Sequence, residues 1–459
     1  MPDGRQDHRD HRTRFRTNHG RITLVFYNKP RPCGGHCLYC IRQPGFTKST
    51  VSNEDTLLAK DCGWDARCQI ETRFREYGLR CGLGNKYDFR IKGDSFTNHE
   101  PAYLTEYFKS LYDFLNGQIS EDFPTARLLQ RDAPDRCIWV QSETRPDQIT
   151  EEWCDRLSRL GVNTVELGVQ CLDDQVLQVN RRGHGVDQVR MATRMLREHG
   201  FEVGYHMMVG LPGSCDELDY EVLAQRLWDD DFFPDCLKIY PCLLLANRHL
   251  QPQLARWHAR HGWQPLTDER YLELLHAVFP HMPPTVHVNR IQRIMPPGDI
   301  EFGPKEIIDR RAFNGLSQCL WQRSLAQTGY PLHGDFRGYQ VSSRPHGAGY
   351  CVEATVDDGR VVLGYGRLTA VRKVALVRDL RVLGDMVPVG VSAGADPQHR
   401  GMGAAMLEEM ERLASRLGCG SLRALAPPGS YRYLQARGFR PDGEFHLVKT
   451  VSPFGATGR

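Results

Sequence analysis

Two hydrophobic periods alternate along this chain from Arg21 to about Val288, and that alternation narrows the fold more than any other feature. Arg21–Asn28 (RITLVFYN), Cys137–Val140 (CIWV), Thr164–Gln170 (TVELGVQ), Gly204–Val209 (GYHMMV) and Cys236–Tyr240 (CLKIY) are short apolar runs of the kind that form buried strands. Thr150–Leu160, Val186–His199 and Asp216–Asp229 lie between them with apolar residues at helical spacing. Strands separated by helices pair in parallel through right-handed crossovers. The expectation for residues 22–294 is therefore α/β, a (β/α) barrel or part of one.

From about Met295 to Gly347 the pattern weakens and Pro, Gly and Arg become frequent, so 295–347 reads as a connecting region with a helix near Gly315–Gln327. Residues 348–459 read as a second α/β domain. Tyr350–Asp357, Val361–Ala370 and Asp379–Ser392 are expected as a strand meander, followed by a helix over Gly403–Leu417. In that helix Gly403, Leu407, Met410, Ala414 and Leu417 form one apolar stripe, and Gly418 stops it.

The formal net charge of +3 argues neither for nor against a nucleic-acid partner, but its distribution is uneven. Residues 1–21 carry Arg5, Arg9, Arg12, Arg14, Arg16 and Arg21 against three aspartates, with almost nothing apolar. This is a solvated basic arm, suited to a polyanion or to no partner at all. The N-terminus lacks the apolar segment of a secretory signal, and no stretch approaches the ~20 apolar residues of a membrane span. A cytoplasmic protein without membrane association is expected. Its fifteen cysteines are then free thiols or ligands rather than a disulfide framework.

Cys33-Gly-Gly-His-Cys37-Leu-Tyr-Cys40 is the most specific chemical signal. Three thiolates on one short loop can hold three irons of a [4Fe–4S] cluster. The fourth iron stays open to chelate S-adenosylmethionine (SAM) and pass it an electron, which must come from an external donor. Tyr39, just before the last cysteine, completes the radical SAM pattern. The competing reading is a zinc loop with His36 as fourth ligand. Cys62, Cys68 and Cys81 follow at irregular spacing and read better as ordinary thiols than as a second metal site.

Gln398-His399-Arg400-Gly401-Met402-Gly403-Ala404 lies between a strand and the strongest helix. Glycines there let the backbone approach a pyrophosphate, whose charge the free helix amides hold. The loop resembles the acetyl-CoA loop of the GNAT N-acetyltransferases. A tight turn without a ligand is the alternative. Tyr433 sits where a domain resembling that family places a tyrosine near the CoA sulfur, or else packs in the core.

With both loops in this order, Arg21 to Lys449 resembles the elongator protein 3 family. Asn28-Lys-Pro-Arg-Pro-Cys33, Glu143-Thr-Arg145-Pro-Asp147, Glu166-Leu-Gly-Val-Gln170, Asn180-Arg-Arg-Gly-His184 and Tyr205–Pro212 carry the likeness through the barrel. Pro234–Pro241, Asn289–Arg293 and Arg378–Gly384 extend it. The resemblance implies a radical SAM partial barrel joined to a GNAT-type domain. It also implies a tRNA carboxymethyluridine synthase, in which a SAM-derived radical activates the acetyl methyl group of acetyl-CoA for addition to carbon 5 of the wobble uridine. Cys33, Cys37 and Cys40 would hold the cluster. Gly93, Asp94, Glu143, Arg145 and Gln170 would surround SAM, or else support the fold through hydrogen bonds. Lys238 would contact an acyl group or phosphate, or pair with an acid. Arg181/Arg182, Arg256/Arg260 and Arg310/Arg311 could join the arm on tRNA phosphates.

The chain departs from the family pattern at Ile41–Gly45, at Lys92-Gly93-Asp94-Ser95-Phe96 and at Tyr433-Leu434. Lys92, Asp94 and Leu434 favour a second reading, a radical SAM enzyme of specialised metabolism that joins an acyl unit to a small molecule. A lysine acetyltransferase with a structural cluster and a non-catalytic tRNA-binding scaffold are the remaining readings. The residues do not report an oligomeric state.

Overall fold

The computed structural model describes residues 20–452, apart from 32, 43, 44, 46–53, 294, 332, 333, 335, 337, 393 and 395. The basic arm before Gly20 lies outside this set. The first domain is built on β1 (Ile22–Tyr27), β2 (Lys86–Lys92), β3 (Arg136–Thr144), β4 (Thr164–Gln170), β5 (Glu202–Val209), β6 (Cys236–Pro241) and, past a two-residue strand β7 (Leu244–Leu245), β8 (His287–Arg290). All but β7 form one parallel sheet in the order of the sequence, so the sheet winds one way without reversal into a half-barrel. β7 pairs instead with β9 (Ile300–Phe302). Alternation within β2 shows how the sheet is sided. Tyr87, Phe89 and Ile91 are buried under the helices, while Lys86, Asp88, Arg90 and Lys92 occupy the other, inner face. Capping sets the helix limits. Thr150 accepts from Trp153 N at 3.2 Å to start the helix Glu151–Leu160, and Gly161, at φ 85°, ends it.

The second domain is a meander of β10 (Gln340–His346), β11 (Gly349–Val356), β12 (Val361–Val371) and β13 (Val374–Val382), continued by β14 (Ser421–Leu425), β15 (Arg440–Asp442) and β16 (His446–Thr450). β16 lies between β14 and β15. The helix Met402–Arg416 buries Met402, Met406, Leu407, Met410, Leu413 and Ala414 against the sheet. β13 and β14 are parallel and pair only from Val374↔Ser421 to Val377↔Ala424. Past Val377 the two strands separate, and a cavity of about 510 Å³ opens beside Arg378–Val382.

A buried ionic network joins the domains at the end where the barrel strands begin. Asp235 accepts from Arg378 Nη1 at 2.5 Å and Nη2 at 3.0 Å, from His346 Nε2 at 2.7 Å and from Val203 N at 2.7 Å. Arg367 donates to Glu202 at 3.1 Å, Asp379 at 3.0 Å, and the carbonyls of Asp235 and Thr285 at 2.9 and 3.0 Å. Arg381 closes the set on Glu202 at 2.5 Å and Asp379 at 2.8 Å. Three arginines thus face three carboxylates, and Arg367 and Arg378 also donate to the carbonyls of Asp235, Thr285 and Phe201 and to the Thr369 hydroxyl.

Several expectations need correction. The third strand of the meander is Val374–Val382 rather than Asp379–Ser392, because Leu383 N bonds Leu363 O and Gly384 then turns at φ 104°. The helix near Gly315–Gln327 shrinks to one turn, Leu320–Arg323; the chain then leaves it to bond Leu325 N to Val362 O. β10 arises within the stretch read as a connector. Cys62 and Cys68 are joined in a disulfide instead of being free thiols, while Cys81 is free and exposed. Arg21, counted with the basic arm, is buried beside Asp88 at 3.5 Å.

Burial pushes the His346 imidazole down to about 3, against an ordinary 6.5. The unfolded chain therefore takes up a proton below pH 6.5 that the folded chain refuses. His346 stabilises the fold fully above 6.5, and that contribution is lost as pH falls toward 3, at up to about 1.4 kcal/mol per pH unit. Denaturant unfolding between pH 7 and pH 4 should show a shallower loss of stability in His346→Gln than in the parent chain.

Candidate active site

The cysteine loop leaves the C-terminal end of β1, where Asn28 N still bonds Lys92 O at 3.0 Å. Cys37 is buried, Cys33 and Cys40 are half-buried, and His36 is exposed. The loop is backed by the turn after Val179, with Leu38 N donating to Asn180 O at 3.1 Å. In that turn Arg181 and Gly183 take positive φ, 53° and 77°, and Arg182 between them points inward. Arg182 Nη1 donates to Cys37 Sγ at 3.4 Å, and Nη2 donates to Gly168 O. A Cβ on Gly168 would stand 2.7 Å from that Nη2, so a side chain there would have to displace the guanidinium. Arg145 is clamped on Asp147 at 2.9 Å twice and on Arg182 O at 2.9 Å. Its remaining Nη1 is buried beside Gly35, with no hydrogen-bond partner among the described residues. Three thiols on one loop, flanked by two buried guanidinium groups, fit an anionic iron–sulfur cluster. Arg182 had been read as a phosphate contact; it is buried and belongs to this loop instead.

The residues expected around SAM collect at the same end of the sheet. Gly93 follows β2 at φ 138°, and Asp94 accepts from Arg31 N at 3.1 Å, tying β2 to the start of the cysteine loop. Glu143 and Arg145 lie at the end of β3, and Gln170, at φ 74°, ends β4. Between these ends sits a closed charge cluster. Lys92 Nζ is 3.3 Å from Glu143 and 3.2 Å from Glu166, His206 Nε2 is 3.0 Å from Glu166, and Lys238 pairs with Glu166. Glu143, Glu166 and His206 bring ligand atoms within 4.8 Å of one another, as a metal site would. Here two ammonium groups already balance the two carboxylates. Burial pushes Glu166 up, but Lys238 and Lys92 outweigh it and hold the carboxyl well below its ordinary range. Burial lowers Lys238 and His206.

Removing Glu166 leaves the buried Lys238 and the half-buried Lys92 with one acid between them. Breaking a buried ion pair from one side costs about 3–5 kcal/mol. Glu166→Gln should lose that much in denaturant unfolding, whereas Glu198→Gln, on an exposed pair with Arg194, should change stability by less than about 0.5 kcal/mol.

The cavity in the β13/β14 splay is lined by Gln398, His399, Gly401, Met402, Gly403 and Ala404 of the expected acetyl-CoA loop, and by Tyr433. Gln398 Nε2 donates to Val382 O at 2.7 Å, and Gly401, at φ 84°, caps the helix that follows. Arg400 turns away and braces the loop on the carbonyl of Asp396 at 2.8 Å. A Cβ on Gly403 would stand 2.5 Å from the Tyr433 hydroxyl, so the bare glycine lets that hydroxyl reach the head of the helix. Burial raises the pKa of Tyr433. The other wall was missed from sequence: Arg21, Lys86, Arg136, Trp139 and Asn163 belong to the barrel. Arg21 and Arg381 place guanidinium carbons 4.7 and 4.5 Å from the centre of the Trp139 ring. The alternating charges of β2 were the one local signal that could have exposed Lys86. Of the other basic pairs, Arg181, Arg256 and Arg260 are exposed, and the side chains of Arg310 and Arg311 lie outside the described set.

Residues 91–222 match the model of the radical SAM superfamily, and residues 234–322 that of the radical SAM C-terminal domain. The chain is 30% identical over 451 residues to the tRNA uridine(34) acetyltransferase of Dehalococcoides mccartyi (strain CBDB1), covering 92% of this chain and 96% of that protein. It is 27% identical over 471 residues to Elongator complex protein 3 of Bos taurus, covering 95% of this chain and 85% of that one. Among solved structures, Methanocaldococcus infernus Elp3 with its N-terminus deleted shares the fold at a TM-score of 0.75 and 23% identity, over 93% of this chain and 99% of that one. No helix among the described residues is long and apolar enough to cross a membrane. A likeness of this strength along nearly the whole length of the D. mccartyi protein makes the chain a radical SAM enzyme of the elongator protein 3 family.

Proposed function

We propose that this protein modifies carbon 5 of the wobble uridine of tRNA, using SAM and acetyl-CoA as a carboxymethyluridine synthase does. The observation that carries the reading is the placement of two cofactor sites at the two ends of one polar barrel interior. The cysteine loop lies where the strands end, and the β13/β14 cavity lies where they begin. The relatives' names supply the nucleic-acid substrate.

Cys33, Cys37 and Cys40 hold a [4Fe–4S] cluster, which supplies the one-electron reduction of SAM when an external donor recharges it. Arg182 keeps Cys37 as an acceptor, and the unpartnered Arg145 Nη1 is free to meet the carboxylate of SAM. Gly93, Asp94, Glu143 and Gln170 frame the same opening. Around the coenzyme, the Gln398–Ala404 loop holds the pyrophosphate, and the Tyr433 hydroxyl stands beside it at Gly403. Lys238 and Lys92 balance Glu166 and Glu143 between the two sites and keep the barrel interior polar. The arm before Gly20 and exposed Arg181, Arg256 and Arg260 serve tRNA phosphates.

The test is anaerobic. Reconstituted enzyme, reductant, SAM, acetyl-CoA and unmodified tRNA should yield 5-carboxymethyluridine by nucleoside mass spectrometry. Cys37→Ala should abolish both 5′-deoxyadenosine and the modified nucleoside. Gly403→Glu should abolish the modified nucleoside while the cluster still assembles. Deoxyadenosine formed equally well without tRNA, and no modified nucleoside with it, would favour a small-molecule acceptor.

A further inference from the structure

We propose that Lys86, a residue of the radical SAM sheet, binds the diphosphate of the acetyl-CoA held by the second domain, so that the coenzyme site is completed across the domain boundary. The inference rests on the acetyl-CoA reading above and adds a residue, from the other domain, that the coenzyme loop does not contain.

Lys86 is the first residue of β2, at the strand-start end of the barrel, and its side chain enters the β13/β14 cavity. Its Nζ lies 2.5 Å from Gln398 Oε1 and 3.4 Å from His399 Nε2. Both partners belong to the loop expected to hold the pyrophosphate. Neither carries negative charge: Gln398 is an amide, and burial holds the His399 imidazole below its ordinary value. The carboxylate that lines the cavity, Asp379, is already engaged by Arg367 and Arg381. Burial accordingly pushes Lys86 down to about 8, with no acid to oppose it.

The electrostatics of the opposite wall sharpen the case. The helix Met402–Arg416 opens on this cavity with its free amides and positive dipole end. An ammonium group held by the loop that leads into a helix N-terminus shares a positive neighbourhood with it in isolation. The pairing becomes a favourable one when an anion lies between them and accepts from both sides. A diphosphate has the charge for two such faces. The thioester and pantetheine segments of the coenzyme do not, so Lys86 distinguishes the nucleotide end from the acyl end.

Calorimetry on the full chain tests this with acetyl-CoA and acetyl-pantetheine, which shares the thioester but lacks the diphosphate. Lys86→Met should weaken acetyl-CoA by about tenfold or more, the scale of a lost charge-assisted contact, and leave acetyl-pantetheine unchanged. Lys86→Arg should stay within about threefold of the parent, since it keeps the charge. In the unsubstituted protein, CoA should shield Lys86 from an amine-acylating reagent while pantetheine does not. Equal acetyl-CoA affinity in Lys86→Met and parent would overturn the inference, as would equal losses for both ligands or no shielding by CoA. A parent protein that fails to bind acetyl-CoA at all would instead overturn the functional reading on which the inference rests.

Discussion

The geometry of the molecule depends on a set of charges removed from water between its domains. Asp235, Glu202 and Asp379 meet Arg367, Arg378 and Arg381 with almost every donor and acceptor used. Taking such groups out of water is costly, and apolar residues of similar volume often stabilise as well or better. What apolar packing lacks is direction. A guanidinium that must satisfy two carboxylates and two carbonyls at once tolerates little rotation of one domain against the other. The network sits at the floor of the barrel beside the β13/β14 cavity, so the same bonds that join the domains also fix the distance from the second domain's sheet to the barrel interior.

Short-range patterns were the legible part of this protein. The cysteine loop, the glycine loop and most barrel strands could be placed because each is a local signal: fixed spacing, or an apolar run bounded by turns. β2 was overlooked because KYDFRIK is half charged, although its strict alternation is what a strand with one polar face looks like. The interdomain network was invisible for a different reason. Arg367 reaches Glu202 across 165 residues and Arg378 reaches Asp235 across 143, and nothing in either neighbourhood names the other. Arg182 shows the same limit in a sharper form. A pair of adjacent arginines reads as a surface cation patch, yet the positive φ values at Arg181 and Gly183 turn one outward and send the other to a cysteine sulfur.

Glycines carry much of the site's precision, through what they leave out. Gly168 admits the Arg182 guanidinium, Gly35 admits the Arg145 guanidinium, and Gly403 admits the Tyr433 hydroxyl. In each case a methyl group would occupy the place of a polar group brought in from a distant part of the chain. The charge cluster inside the barrel works the other way, by filling. Lys92 and Lys238 pair with Glu143 and Glu166 beside His206, and they balance the two carboxylates without a metal cation.

β2 has a lysine at each end, and the two ends belong to different chemistry. Lys86 enters the β13/β14 cavity and Lys92 joins the charge cluster where the strands end. The strand between them pairs with β1 from Tyr87 to Lys92 and with β3 from Lys86 to Arg90, so every residue of it is held by at least one neighbour. Six residue steps at about 3.3 Å put the two ends about 20 Å apart. Loops can lengthen or shorten without altering that span. A one-residue slip of the strand, by contrast, would turn all four of its charges into the layer beneath the helices. β2 is in effect a gauge bar between the β13/β14 cavity and the charge cluster, and the inward-facing charges along it keep it from sliding.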